Sequence, residues 1–226
     1  MIISLNCVFN KNKVDVFLTD LFKCFKKIKI YNLLYKWPDI KPIVAIELLN
    51  SAYSDLEVRN FAVRCLDKNM KDEEVHQYLL QLIQALKNEA YYDNLLTRFL
   101  LIRALKSQRI GFDLFWNLKS EMKNPRYKLR FGLILEAYCR AIGALQLKDL
   151  LKQVEVVDKL SFLAKEIKSN CENISDLAKS SFLVDTLTKP DYMDTMSNLI
   201  SPLNRSHILG TIGKEIFHGA KILVHN

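Results

Sequence analysis

Apolar residues recur at three- and four-residue steps along most of this chain. Between Arg109 and Arg140 the rhythm is clearest. Phe112, Phe115, Leu118 and Met122 mark one stripe, Leu129, Leu133, Glu136 and Arg140 share a line in the next segment, and Phe131, Leu135, Tyr138 and Cys139 fall on the adjacent one. That spacing is helical, not the period-two alternation of a strand. The two segments meet at Lys123-Asn124-Pro125, where Asn124 suits the cap of the second helix and Pro125 its first position. Gly111 and Gly132 lie inside these helices, where glycine costs about 1 kcal/mol relative to alanine. They predict close helix–helix approach, and the stretch reads as a tightly packed antiparallel hairpin.

The same rhythm extends in both directions. Pro42 opens a short helix through Leu49, broken at Asn50 to Ser54. Ser54 and Glu57 have the spacing of a capping box, ahead of a helix with Val58, Phe61, Ala62, Cys65 and Leu66 on its buried side. Asp72 is placed to cap the next helix, with Glu73 and Glu74 in its first turn where the helix dipole favours them. Its stripe is Val75, Tyr78, Leu79, Leu82, Ile83 and Leu86. Tyr91 to Asn94 interrupts, and Leu95 to Lys106 forms another helix with Leu96, Phe99, Leu100 and Ile102 to Leu105 as its apolar positions. After a stop at Gly143, a long helix covers Leu147 to Ile167 on Leu147, Leu150, Leu151, Val154, Val157, Leu160 and Leu163. Ser169 to Asn173 is a polar break, and 174–188 and 190–200 are two further helices.

Helix pairs thus begin near Pro42, Asp72 and Arg109, at intervals of 30 and 37 residues. That is the scale of helical hairpins that stack into a solenoid. The predicted fold is all-α, an array of stacked antiparallel helix pairs of the HEAT/armadillo kind. At the ends the pattern changes. Phe17, Leu21, Phe25 and Ile28 suggest an amphipathic helix in a basic N-terminal segment, and Lys221 to His225 alternates weakly, as a strand would.

Composition agrees with a helical protein: half of the 226 residues are apolar and only 11 are Gly or Pro. No apolar run reaches the roughly 18 residues of a membrane span, and Met1 to Phe9 lacks the basic start and small-residue cleavage site of a signal peptide. Cys7, Cys24, Cys65, Cys139 and Cys171 are scattered, with no Cys-x-x-Cys pair, and read as reduced core cysteines. The net charge of +8 is uneven: Lys11 to Lys36 holds seven lysines against Asp15 and Asp20. Such a stripe is either a solvated helix face or a surface for nucleic acid or anionic membrane.

Catalytic patterns are missing from the sequence. An ATP-dependent kinase needs a phosphate cradle, a lysine, a catalytic base and a metal-binding aspartate. No Asp-Phe-Gly or His-Arg-Asp occurs, and Gly210-Thr-Ile-Gly213 has no strand–helix context. His76, His207, His218 and His225 lie far apart, with no metal-ligand spacing. Trp116 beside Phe112 and Phe115 reads as core. Glu136 and Arg140 form an i,i+4 ion pair worth about 0.3–0.5 kcal/mol. Lys119, Lys123, Arg126, Lys128 and Arg130 bracket the hairpin turn, either as a charged solvent edge or as a surface for anionic headgroups or an acidic partner.

The stretch "RIGFDLFWNLKSEMKNP" followed by "RFGLILEAYCR" resembles the helical (PIK) domain of class I phosphoinositide 3-kinase catalytic subunits. The matching positions are Arg109, Gly111, Phe115, Trp116, Glu121, Met122, Arg130, Phe131, Gly132, Glu136, Tyr138 and Arg140, all structural. "YSDLEVRNFAVRCL", "QYLLQLIQAL" and "LKQVEVVDKL" are similar to the family's preceding and following helices. Ser201-Pro-Leu-Asn204 with Leu209-Gly210 resembles the start of the family's kinase domain. The likeness covers about residues 37–210. It implies a poorly matched basic segment at 1–36, a PIK helical domain at 37–188, and a linker with the truncated first strands of a kinase N-lobe at 189–226. Residues 10–16 and 31–38 resemble the two ends of the family's preceding helix, and the basic stretch between them reads as an insertion or retained intron.

The resemblance implies a parent enzyme that moves the ATP γ-phosphate onto the inositol 3-hydroxyl of phosphoinositide lipids. ATP and magnesium would bind outside this chain, which carries no catalytic, cofactor or metal residue. Implied partners are the remaining kinase domains and an adaptor with Src-homology-2 domains. The adaptor's acidic-loop contact would fall before residue 37, where this chain is basic. Nucleic acid is not expected, the membrane is met only indirectly, and the expected location is cytoplasmic with peripheral recruitment to membranes. The competing reading is an independent helical-repeat module that binds a protein partner.

Overall fold

The computed structural model describes residues 28–170, 175–196 and Leu199. The helix expected around Phe17 to Phe25, the kinase-like segment at 201–210 and the strand at 221–225 lie outside the described residues. So do Cys7, Cys24, Cys171 and the three C-terminal histidines.

Every regular element among the described residues is helical. Helix α1 covers residues 28–36, and the others are α2 (Pro42–Glu47), α3 (Leu56–Asn69), α4 (Asp72–Ala85), α5 (Leu95–Lys106), α6 (Gln108–Glu121), α7 (Lys128–Ala141), α8 (Ala144–Asn170), α9 (Asp176–Leu187) and α10 (Pro190–Met196). A single 3₁₀ turn, Leu86–Asn88, extends α4. The chain divides by its contacts into two units, Met1–Leu135 and Glu136–Asn226.

In the first unit α2 packs on α3 and α5 on α6, while α3 lies beside α5 and α4 beside α6. Neighbours two elements apart in sequence thus stand side by side, as in a helical-repeat array. Leu49, Leu66, Leu79, Leu82, Ile83, Leu86, Leu96, Leu100, Ile110 and Leu114 are fully buried between them. A buried Leu or Ile side chain contributes about 1.5–3 kcal/mol, so this set supplies the bulk of the cohesion. Ser107 alone joins α5 to α6: its N–H closes α5 on the Arg103 carbonyl and its hydroxyl accepts the Ile110 N–H. Ile102 and Leu105, expected in the apolar set of α5, are exposed, and the buried side of the helix is Leu96, Thr97, Phe99, Leu100 and Ala104.

Three helix starts differ from the sequence reading. The cap of α3 is Asp55, not Ser54: its carboxylate accepts from the N–H groups of Glu57 (2.9 Å) and Val58 (3.3 Å). Glu57 is drawn away to the hydroxyl of Tyr35, and the second oxygen of Asp55 takes the hydroxyl of Tyr31 at 2.6 Å. Tyr31 and Tyr35, one turn apart, therefore pin α1 to the start of α3, and the bond to Asp55 holds the Tyr31 phenol up to about 12. At α4 the cap position is Lys71, and Asp72 stands inside the first turn. A lysine side chain has no acceptor, so only half a capping box forms, the Glu74 carboxylate taking the Lys71 N–H at 2.9 Å. Asn124 caps a turn, its side chain accepting from Arg126, and α7 begins only at Lys128, so Pro125 sits in that turn and not in α7.

The expected steric need for glycine at position 132 does not hold. A β-carbon there would meet the Met122 methyl at 3.6 Å, an ordinary contact.

In the second unit α10 packs on α8 and α9, and α9 on α8. The buried side of α8 is Leu150, Gln153, Val156 and Leu163, while Leu151 and Leu160 face solvent. Leu151 instead lines the open groove between α8 and α10. Lys159 on α8 donates to the Asp191 carboxylate (2.9 Å) and the Thr195 hydroxyl (2.7 Å), which fixes the side of α8 that α10 covers. Tyr138 is fully buried and its hydroxyl accepts from Gln146. Among the described residues Cys65 and Cys139 are free thiols, and burial, with Glu136 nearby, pushes the Cys139 thiol up.

The capping geometry makes a sharp prediction. Asp55→Ala should cost about 1 kcal/mol, while Ser54→Ala should leave stability within error. Urea denaturation of the two variants checks it, and equal losses would place the cap wrongly.

Candidate functional site

The strongest polar constellation is built around Arg59. It stands one turn into α3, on the same helical line as Ala62, Val63 and Leu66, and is almost completely buried (3% exposed). Such a charge must be paired and fully hydrogen-bonded. Its Nε and Nη2 both donate to Glu89 Oε1, at 2.9 and 2.6 Å, and Nη2 also reaches the Ala85 carbonyl. Its Nη1 faces the carbonyls of Leu49 (2.9 Å), Tyr53 (3.2 Å) and Asn50 (3.3 Å). Those carbonyls follow the C-terminus of α2, and Ala85 is the last residue of α4. One guanidinium thus answers the unsatisfied, partly negative ends of two helices. Asn88 adds a bond from its amide to the Leu49 carbonyl.

A second arginine completes the arrangement from α7. Arg130 donates to the carbonyls of Glu89 (2.7 Å) and Tyr91 (2.9 Å), and its guanidinium lies over the Tyr92 ring at 5.1 Å. The loop 89–94 is therefore gripped by its side chain through Arg59 and by its backbone through Arg130. Asn94 closes the loop: its amide donates to the Tyr91 and Tyr92 carbonyls while its oxygen caps α5 at Thr97.

Glu121, at the end of α6, accepts from Lys87 (2.7 Å) and from the Gln84 amide (2.6 Å). These two donors, Lys87 foremost, hold its carboxyl below the usual range. Lys87 also sits over the rings of Tyr127 and Phe131, at 5.1 and 5.9 Å. Arg103 on α5 lies over the Phe99 ring and donates to the Asp72 carboxylate and the Asp67 carbonyl, binding the junction of α3 and α4.

The residues singled out from sequence fall into distinct roles. Gly111, Phe115, Phe131 and Tyr138 are buried, and Trp116, half-buried, meets Phe115 edge-on at 5.6 Å. Met122 touches the Gly132 position. Glu121 and Arg130 are the anchors just described, so Arg130 does not belong with the solvent-facing cations of the turn. Glu136 and Arg140 pair at 2.7 Å on an exposed face, and Arg109 is exposed. Sequence reasoning passed over Arg59, Glu89 and Asn94. Arg59 did leave a trace, a charge on the apolar line of its helix, but its partner thirty residues away has no local signature.

Chemistry finds little purchase here. Among the described residues no cluster of His, Cys, Asp and Glu could hold a metal ion. His76 Nδ1 stands 2.9 Å from Asp113 Oδ2, an isolated pair. A groove of about 450 Å³ runs between α2 and α4 past Ile46, Leu80 and Gln84. In the second unit a groove of about 630 Å³ lies between α8 and α10, lined by Leu147, Leu151, Lys152 and Glu155 among others. Neither brings together a nucleophile, a base and an anion cradle. No described helix is long and apolar enough to cross a membrane. What the constellation does is lock helix ends and a loop together.

Comparison with known proteins gives a family. The family described as "Phosphoinositide 3-kinase family, accessory domain (PIK domain)" matches residues 10–152, a range that takes in much of the basic N-terminal segment and ends within α8. Among curated proteins, phosphatidylinositol 3-kinase 1 of Dictyostelium discoideum is 43% identical over 137 residues, 61% of this chain. Phosphatidylinositol 3-kinase 2 of the same organism is 36% identical over 173 residues, 76% of the chain. The chain spans 9% of the length of each.

Two measurements test the site. Arg59→Met would leave the Glu89 carboxylate buried without its partner and should cost about 3–5 kcal/mol, read as a lower urea midpoint. An unchanged midpoint would mean the arginine is not buried as described. Glu121 has a folded pKa below its unfolded value of about 4.3, so its stabilisation is full above that value and is lost as pH falls through the folded pKa. Between pH 7 and pH 3 the wild type should therefore lose more stability than Glu121→Gln.

Proposed function

This chain belongs to the phosphoinositide 3-kinase family through its PIK accessory domain, and we propose that it serves as the rigid helical scaffold of a phosphatidylinositol 3-kinase catalytic subunit. The parent enzyme would transfer the γ-phosphate of ATP to the inositol 3-hydroxyl of phosphoinositide lipids, with ATP and magnesium held by a kinase domain outside the described residues. The observation that carries this reading is the Arg59–Glu89–Arg130 arrangement. It ties five segments of the first unit into one body, and no catalytic group is positioned in it.

A scaffold has to keep its neighbours in register, and buried directional bonds do that better than apolar contact alone. Ile43, Val44, Leu80, Ile102 and Leu105 remain exposed on the helices. They are suited to mounting the other kinase domains, and the 9% coverage of the curated relatives leaves ample chain for those domains. A regulatory adaptor is a further proposed partner, and location at the cytoplasmic side of membranes follows from the same reading.

Two assays test this reading, and the second separates it from an independent helical-repeat module. The purified 226-residue chain should show no lipid-kinase turnover with ATP, magnesium and phosphatidylinositol vesicles, and measurable turnover would overturn it. An antibody raised to residues 109–140 should detect a native product several times larger than 26.3 kDa. A product at that mass would favour the independent module.

A further inference from the structure

The turn between α6 and α7 presents four consecutive exposed residues, Lys123, Asn124, Pro125 and Arg126, followed by exposed Lys128 and Leu129. The carboxylates of the surrounding segments are already engaged. Glu121 holds Lys87, Glu89 holds Arg59, and Asp93 holds Arg98. None of the described ion pairs includes Lys123, Arg126 or Lys128. All three cations are exposed, and none of them is held by a carboxylate in those pairs.

Beside them lies apolar and aromatic surface. Leu129 is 60% exposed and Leu133, one turn further along α7, 47%. Tyr91 and Tyr92 are exposed at 65% and 52%, and they are held against the same helix by Arg130, which bonds the Tyr91 carbonyl and stacks on the Tyr92 ring. Arg126 in turn lies over the Tyr127 ring at 5.3 Å. The result is an exposed edge of three cations outside the described ion pairs, two tyrosines and two leucines.

We propose that this edge, formed by the turn 123–129 and the loop 89–92, docks directly on an anionic phospholipid surface. Cations placed within a Debye length of a negative leaflet are attracted to it, each by about 1 kcal/mol. Tyrosine prefers the headgroup level, where its ring is shielded and its hydroxyl stays wet. Leu129 supplies apolar area to the boundary beneath. An acidic peptide would need only the cations, whereas the exposed Tyr91, Tyr92 and Leu129 beside them match the headgroup and acyl boundary of a bilayer. The contact is additional to the scaffold role and differs from the expectation that the membrane is met only indirectly.

Flotation of the full 226-residue chain with vesicles of phosphatidylcholine containing 30 mol% phosphatidylserine, about 0.15 M salt, tests it. Lys123→Gln/Arg126→Gln/Lys128→Gln should weaken partitioning about a hundredfold. Tyr91→Ser/Leu129→Asn, which leaves the charge untouched, should weaken it several-fold. The control Lys148→Gln/Lys165→Gln/Lys168→Gln, with the same charge change on α8, should fall less than threefold. All three sets replace exposed side chains, so thermal unfolding should be unaltered. The basic segment before residue 28 is common to every variant and cancels in the comparison. Equal losses in the turn and control variants would reduce the effect to net charge and overturn the proposal. So would undiminished vesicle binding in the turn variant, the result expected if the edge serves an acidic protein instead.

Discussion

The buried guanidinium of Arg59 is the constraint on which the first unit depends. Removing it from water is costly, and the cost is offset only because every N–H finds an acceptor of the right sign. Those acceptors belong to different segments: the carbonyls after α2, the last turn of α4 and the carboxylate of Glu89. Apolar contacts are non-directional and tolerate sliding. A charge with fixed acceptors favours the register of α2, α3, α4 and the loop 89–94 in which all of its bonds are made.

From that point the order spreads outward. Glu89 is gripped by Arg59 at its carboxylate and by Arg130 at its carbonyl, which carries the constraint from α3 to α7. Asn94 turns the same loop into the cap of α5. Glu121 and Lys87 join α6 to the end of α4, and Arg103 joins α5 to the α3–α4 junction. Of the family-matching positions, Glu121 and Arg130 belong to this network, and Gly111, Phe115, Phe131 and Tyr138 to the core beneath it. A domain organised this way is suited to hold other domains in place, and it leaves apolar and charged surface outside for them and, as proposed, for the bilayer.

The helices themselves were largely legible. The stripes of α3 and α4 and the span of α5 follow from three- and four-residue spacing and agree with the structure, as does the repeat-like stacking. The failures were at the helix starts and in α8. Asp55 outcompetes Ser54 as a cap because its two oxygens serve both the α3 backbone and Tyr31, a partner 24 residues away. On α8, Leu151 and Leu160 are exposed and Lys159 bonds α10, a pairing that no local pattern announces. Arg130 reads as one of several turn cations in sequence and is instead a buried-end clamp on a neighbouring loop.

The sequence by itself determined the helical character of the described residues, their approximate element boundaries and the family. Those properties rest on local periodicity, on capping chemistry and on residue identity, all of which are written within a few turns of chain. The Glu136–Arg140 pair was readable from its i,i+4 spacing, whereas the tertiary structure alone decided which charges are buried and which are paired between elements. Those outcomes depend on acceptors brought together from 30 to 41 residues apart, and distance along the chain carries no record of proximity in space.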